Sequence, residues 1–328
     1  LTSSDPARRA TSTIGIDIGG TTMKAGVVSA GGVVLAARSV PTPHTPEASD
    51  DALVALVTSL RAEHEVCGVG LAVAGLICAD RTTVMFAPHL AWRDSAVPDR
   101  LRSKIGLPVV MDHDVNAAAW AEYSAGAARG AKVALLIALG TGIGAGLVID
   151  GSLFRGSYGA APELGHVRVV PDGRECPCGK RGCWERYCSG TALAATAIEL
   201  ATAITPGRTW GSRTRQLAPD SAPVTGASVG HAARAGDEVA LAAVADLALW
   251  LGRGLSLAID VFDPDTIVIG GGVSKIADLF LPAAIALAFG PDGMTGAGHR
   301  PVPSVVAAHF ADSAGVVGAA LLARCEQE

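Results

Sequence analysis

Residues 14–28 read Ile14-Gly15-Ile16-Asp17-Ile18-Gly19-Gly20-Thr21-Thr22-Met23-Lys24-Ala25-Gly26-Val27-Val28. An apolar run, an interruption of two glycines and two threonines, and a second apolar run make the pattern of strand, tight turn and strand. Gly31-Gly32 then turns the chain into a third strand. The plan returns at residues 133–154: an apolar run over 135–139, the turn Gly140-Thr141-Gly142, a second run over 145–149, Asp150-Gly151 and another strand. Placing Ala25-Gly26-Val27-Val28 over Ala145-Gly146-Leu147-Val148 brings the two glycine turns into register with a single gap. Such self-similarity is what two related halves leave behind.

Around these hairpins the chain alternates helical and extended patterns. Residues 50–64 have helical apolar spacing, 66–73 and 107–111 read as buried strands, and 116–128 are Ala-rich and helical. Helical patterns follow at 190–203, 227–235 and 238–261, then a strand at 266–269 and Gly270-Gly271-Gly272 before a further helix. The Pro-, Arg- and Ser-rich stretch 205–224 is expected to be a mobile loop, and residues 1–13 a disordered polar tail. A chain of 328 residues exceeds what one ordinary core serves. Its 49% hydrophobic and 4% aromatic content asks for a core of Ala, Val, Leu and Ile, as in α/β layers.

The net charge of -5 supplies no basic footprint for nucleic acid and no attraction to a membrane surface. No uninterrupted apolar run approaches the roughly 18 to 20 residues of a membrane span, and the first thirteen residues lack the apolar stretch of a signal peptide. A cytoplasmic protein is expected. Its seven cysteines are an odd number, and Cys176, Cys178 and Cys183 fall within eight residues. A metal site explains that clustering better than a disulfide framework, while Cys67, Cys78, Cys188 and Cys325 read as buried or incidental thiols.

Asp17-Ile18-Gly19-Gly20-Thr21-Thr22 offers backbone N–H groups that no side chain shields, with two hydroxyls and Lys24 close by, a composition suited to phosphate oxygens. Asp17 would repel a bare anion, which makes sense if Mg²⁺ or its waters lie between. An ordinary glycine hairpin would use the same residues. Gly140-Thr141-Gly142-Ile143-Gly144 resembles a dinucleotide fingerprint only superficially, because a strand and not a helix follows it. Two such turns could clasp a triphosphate, with Gly271 and Gly272 meeting the nucleotide at a helix start.

The strand ending at Met111 runs through Asp112-His113-Asp114-Val115-Asn116 into a helix. That places Asp114 at a strand end beside a helix N-terminus, where either a catalytic group or a helix cap belongs. Cys176-Pro177-Cys178-Gly179-Lys180-Arg181-Gly182-Cys183, with His166 ten residues upstream of Cys176, makes a Cys₃His set. This is the ligand set of structural zinc, and four protein ligands leave no open position for catalysis by the metal. Glu163 and Glu185 flank these ligands, and zinc would hold the two carboxylates at fixed separation for gripping sugar hydroxyls; otherwise they are surface glutamates.

Over residues 14–322 the chain resembles the ROK family of bacterial sugar kinases and sugar-responsive repressors, most of all its glucokinase branch. The likeness is most specific at Glu163-Leu164-Gly165-His166, Cys176-Pro177-Cys178-Gly179 and Gly182-Cys183-Trp184-Glu185. The first glycine turn, Phe86-Ala87-Pro88, residues 114–119 and 139–146, and Phe262-Asp263-Pro264 match as well. The resemblance implies that Asp114 is the base on a sugar hydroxyl. It further implies that Glu163, His166 and Glu185 bind the sugar, and that His166, Cys176, Cys178 and Cys183 bind zinc. The family commonly has Asn at the positions of His113 and His89, both near the sugar, so these two residues bear on the choice of hexose.

The resulting expectation is an actin-like fold, a duplicated ribonuclease H-like α/β architecture of two domains with an interdomain active-site cleft. Residues 14–115 with 306–328 would form a small domain, and 116–305 a larger one containing the zinc loop. The expected reaction is ATP-dependent phosphorylation of the 6-hydroxyl of glucose or N-acetylglucosamine. Asp17, Gly19, Gly20, Thr21, Thr22, Lys24, Gly140, Thr141, Gly142, Gly271 and Gly272 would bind the nucleotide. Its partners would be the hexose and Mg-ATP, with neither nucleic acid nor membrane, in a homodimer or homotetramer. The rivals are a sugar-sensing regulator without kinase activity and a glucokinase that uses polyphosphate.

Overall fold

The computed structural model describes residues 12–204 and 223–325. Most of the loop expected at 205–224 and of the tail expected at 1–13 therefore lies outside the described residues. In chain order, β1 (Thr13–Ile18), β2 (Thr22–Val28) and β3 (Val34–Pro41) precede α1 (Pro46–Arg61), β4 (Val69–Val73) and the short strands β5 (Leu76–Ile77), β6 (Val84–Phe86) and β7 (Arg93–Ser95). Next come α2 (Val97–Ile105), β8 (Val109–His113), α3 (Asp114–Ala125), β9 (Val133–Leu139), β10 (Ile143–Ile149) and β11 (Ser152–Phe154). The rest is α4 (Gly190–Ile204), α5 (Gly226–Arg234), α6 (Glu238–Phe262), β12 (Thr266–Gly270), α7 (Ala277–Ala288), β13 (Ser304–Ala307) and α8 (Ala314–Cys325).

Two five-stranded sheets have the same order, β3-β2-β1-β4-β8 and β11-β10-β9-β12-β13. In the first, β2 is antiparallel to β1 and β3, while β4 is parallel to β1 and β8 to β4. In the second, β11 is antiparallel to β10 and β13 parallel to β12. A glycine-turn hairpin, prolonged by a returning strand on one side and by parallel strands on the other, occurs twice, as the internal repeat implied. A third sheet, β5-β6-β7, is made of strands of two or three residues.

The chain divides into two compact units: residues 1–136, 146–162 and 312–328, and residues 137–145 and 163–311. The first unit keeps α3, where the sequence reading ended the small domain before it. The cause is α8, which packs so closely on α3 that a side chain at Gly318 would overlap the Ala117 carbonyl. β1 shows how this unit is layered. Ile14, Ile16 and Ile18 join Leu53, Leu56, Val57 and Leu60 of α1 in one buried cluster. The alternate residue Gly15, like Gly70 on β4, leaves room for the backbone of α8, where a Cβ would strike Val316 or Ala319. The Thr13 hydroxyl donates to the Ala320 carbonyl at 2.7 Å.

In the second unit α6 packs against α4, α5 and α7. Its most apolar window has mean hydropathy 1.5, so length and composition would let it cross a membrane, yet 56% of that window is buried inside the protein. Asp246 and Arg253 interrupt its apolar run. The Asp237 side chain caps it by accepting the Ala240 N–H at 2.9 Å. Trp184, which follows the last cysteine of the 176–183 loop, is buried against Gly254 of α6 and donates its indole N–H to the Trp250 carbonyl at 2.9 Å.

Candidate functional site

The first glycine turn belongs to the first unit. Gly19 N–H donates to the Thr22 carbonyl at 3.2 Å, while Thr42 clamps the turn from outside. Its hydroxyl donates to the Gly19 carbonyl at 2.6 Å and its N–H to the Thr21 carbonyl at 3.0 Å. A Cβ on Gly20 would lie 2.6 Å from the Cβ of His89, so His89 lies against this turn and accounts for the glycine there. Asp17 sits across from Lys24 in the β1–β2 register and beside Gly315 in the first turn of α8. Burial, and after it the negative charge of Asp114, push the Asp17 carboxyl up to about 6, against the lowering effect of Lys24.

Asp114 opens α3 directly after β8. His113 holds the N-cap position and makes no capping bond with its side chain; its Nε2 lies 3.3 Å from Asp114 Oδ1. Asp114 Oδ1 also accepts the Val115 N–H at 2.7 Å, and the side chain is 40% exposed, so the rest of the carboxylate is open to a ligand. Beneath it lies Asp112, 3% exposed. Its Oδ1 accepts the His113 N–H and the Asn116 amide, each at 2.9 Å, while its Oδ2 takes Arg155 Nε at 2.8 Å and Nη2 at 2.6 Å. Asn116, the only asparagine of the chain, is thus a buried brace.

The cysteine loop belongs to the second unit. The ligand atoms of His166, Cys176, Cys178 and Cys183 all lie within 4.8 Å of one another. Cys178 and Cys183 Sγ are 3.6 Å apart, and Cys176 Sγ is 3.7 Å from His166 Nδ1. Ligands about 2.0–2.3 Å from a tetrahedral ion stand about 3.3–3.8 Å from each other, so the set fits one metal ion. The loop returns on itself through Cys176 N–H to the Lys180 carbonyl at 2.9 Å, with Gly179 and Gly182 at φ 87° and 76°. Burial raises the Cys176 and Cys183 thiols. For Cys178 burial acts in the same sense, but the Lys180 amide and the neighbouring thiols outweigh it and lower the group. A cation would let all three ionise together.

Glu185 Oε1 lies 3.1 Å from Cys176 Sγ and 3.7 Å from His166 Nδ1, and Glu163 Oε2 lies 4.0 Å from His166 Nε2. The imidazole therefore offers one nitrogen to the cysteines and the other to the side of Glu163. Gly142, expected from the sequence to be part of a phosphate turn, abuts the Glu185 carboxylate, which a side chain at this position would have to displace.

Gly140 and Thr141, together with Gly272, line a cavity of about 800 Å³ in the same unit. Gly271 does not line it; at φ 79° it packs on the Leu139 backbone. The segment after Gly271 is a 3-10 turn, Gly272–Ile276, before α7 begins. Gly190 N–H, at the start of α4, donates to the Gly140 carbonyl at 2.8 Å, which brings Gly190 and Thr191 into the wall. Thr225, Ala227, His231, Arg234 and Lys275 complete much of the rest. Sequence reading missed these, as it missed Thr42 and Arg155; the Gly190-Thr191 helix start after the cysteine loop was the one usable signal.

The ROK family matches residues 13–326. The glucokinase of Streptomyces coelicolor is 43% identical over 314 residues, covering 95% of this chain and 97% of that protein. An N-acetylmannosamine kinase of Escherichia coli is 34% identical over 320 residues, covering 96% and 99%. The crystal structure of a ROK family glucokinase from Streptomyces griseus in complex with glucose and AMPPNP matches with a TM-score of 0.83 at 42% identity, over 96% of this chain and 99% of that one. The duplicated sheet order is accordingly that of the actin-like sugar kinase fold. With matched residues, identity and fold in agreement along nearly its whole length, the chain belongs to the ROK family.

Proposed function

We propose that the chain transfers the γ-phosphoryl group of Mg-ATP to the 6-hydroxyl of a gluco-configured hexose, glucose first. The observation that carries the reading is Asp114, a carboxylate with 40% exposure braced at a strand-to-helix junction. It stands on a chain similar to glucokinases over more than nine-tenths of its length. Asp114 takes the proton of the 6-hydroxyl as that oxygen bonds to the γ-phosphorus. The bond from phosphorus to the β,γ-bridging oxygen breaks, and ADP leaves. A weak base suffices, because a loose phosphoryl transition state asks little of its nucleophile.

Gly20, Thr21 and Thr22 would supply N–H and hydroxyl donors to the phosphates, with Lys24 beside them, while Gly19 closes the turn through its N–H to the Thr22 carbonyl. Asp17 is the residue to hold Mg²⁺, directly or through water; the ion would neutralise charge on the transferred group. The 800 Å³ cavity is of the size that takes a nucleoside. Glu163, His166 and Glu185 would hydrogen-bond the ring hydroxyls, and His166 with Cys176, Cys178 and Cys183 would hold a structural zinc that fixes them.

The test is a panel of glucose, mannose, fructose, N-acetylglucosamine and N-acetylmannosamine with Mg-ATP and, separately, with polyphosphate, the product being assigned by NMR. Glucose 6-phosphate formed from ATP is the expected result. Phosphate on any oxygen but O6, or turnover of fructose alone, would sink the reading. The 2-acetamido sugars belong in the panel because His113 and His89 stand where the family commonly has Asn. If the two histidines open that side of the pocket, N-acetylglucosamine rivals glucose in kcat/KM, and Asn at both positions shifts the ratio toward glucose.

A further inference from the structure

Asp112 is among the few buried charged residues of the first unit, and its bonds converge on the segment that carries Asp114. One carboxylate oxygen accepts the backbone N–H of His113 and the side-chain amide of Asn116, each at 2.9 Å; the other receives Arg155 Nε at 2.8 Å and Nη2 at 2.6 Å. His113 is the residue just before Asp114, and Asn116 is in the first turn of the helix that Asp114 opens. Arg155 follows β11, and its own carbonyl accepts the Ala161 N–H at 3.1 Å, so the guanidinium is presented from a closed loop. Packing alone does not call for an ion pair here. A buried pair of this kind is weak evidence for stability, since well-packed neutral residues often do as well. What it does supply is direction, because two guanidinium donors on one oxygen leave the other oxygen aimed at the junction.

We propose that Arg155 and Asp112 are a positioning pair for phosphoryl transfer: the arginine orients the buried carboxylate, which holds the strand-to-helix junction so that the Asp114 carboxylate meets the acceptor hydroxyl. The proposal rests on the reading of Asp114 as the base. A misplacement of the base by about 1 Å costs on the order of a hundredfold in rate, while nucleotide affinity does not pass through this junction.

The variants are Arg155→Lys, Arg155→Met, the double variant Asp112→Asn with Arg155→Met, and Asp114→Asn as reference, all in the full-length chain with Mg-ATP and the preferred hexose. Arg155→Met leaves the Asp112 charge unpaired and is expected to unfold more easily. The double variant removes both charges, and its thermal midpoint should return close to that of the unaltered protein. Its kcat should nevertheless fall by about tenfold or more with KM for ATP within about twofold, and Arg155→Lys should recover part of the loss. A smaller loss of kcat in the double variant, or a loss that merely tracks thermal stability across the set, overturns the proposal. Should the double variant not fold, Arg155→Lys decides: a kcat unchanged at unchanged KM for ATP overturns it, and a lowered kcat supports it. If Asp114→Asn itself turns over normally, the reading of the base has failed, and that outcome is distinct from an inactive Asp114→Asn beside fully active Arg155 variants.

Discussion

Asp17 and Asp114 are two carboxylates on one unit whose charges oppose each other, and each carries a prediction. Burial raises the Asp17 carboxyl to about 6 from its ordinary 3.8, so between those pH values the native state keeps a proton that the unfolded chain has released. The stability this contributes is complete below pH 3.8 and is lost as pH rises through 6, a cost of order 3 kcal/mol above that window. Asp17→Asn should therefore raise stability at pH 8 by about 1–3 kcal/mol and change it little at pH 3.5, read by urea denaturation without Mg²⁺. Equal effects at both pH values would show that the group titrates normally. Asp114→Asn should lower kcat by about 10² to 10⁴, or roughly 3 to 5 kcal/mol, while hexose binding measured by calorimetry stays near normal. Near-normal kcat would leave Asp114 with a local structural role, that of its bond to the Val115 N–H.

At the level of elements, the cysteine loop and the glycine approaches are the parts that a single substitution can break. On the proposed zinc role, Cys178→Ser should abolish the binding of one zinc per chain, measured by metal analysis, and make residues 163–185 more open to proteolysis, because the loop would then depend on its backbone bonds alone. A metal-free protein with unchanged proteolysis and hexose affinity would remove the bracing role. Gly318→Val forces a side chain into the Ala117 carbonyl and should cost about 1–3 kcal/mol or more, where the same change at the open Gly130 costs mainly through its φ of 86°. Both glycine hairpins and the cysteine loop were legible in the sequence because their signals are local: a turn needs its glycines adjacent, and a metal needs its ligands in one short stretch. α2 and the strands β5 to β7 were not, since segments of two to nine residues carry too little periodicity to register. The Asp112 brace was hidden for another reason: Arg155 is 43 residues away, and nothing in either neighbourhood marks the partner.

On the scale of the whole molecule the duplicated sheet order could be inferred from the overlay of the two hairpins, but the division of the chain could not. Whether α3 goes with the strands before it depends on α8, which arrives nearly two hundred residues later. The cavity was illegible for the same reason, being assembled from Gly140, Gly190, Ala227 and Gly272, which only the fold gathers. Ala227→Trp, at an exposed position in its wall, should raise KM for ATP by about tenfold or more and leave hexose affinity and zinc content alone; unchanged KM would place the nucleotide elsewhere. The bond between Thr13 and Ala320 also sets an order of events during synthesis, for its two ends are 307 positions apart. While the ribosome is still at work, β1 and β4 must wait with Gly15 and Gly70 facing water, and the loop to be closed is nearly the entire chain. Residues 163–311 are complete before α8 emerges, so the second unit is expected to fold first and to act as a finished insert between the parts of the first. A released chain ending at residue 312 should accordingly resist protease over residues 163–204 and 223–311 and be cut readily at β1.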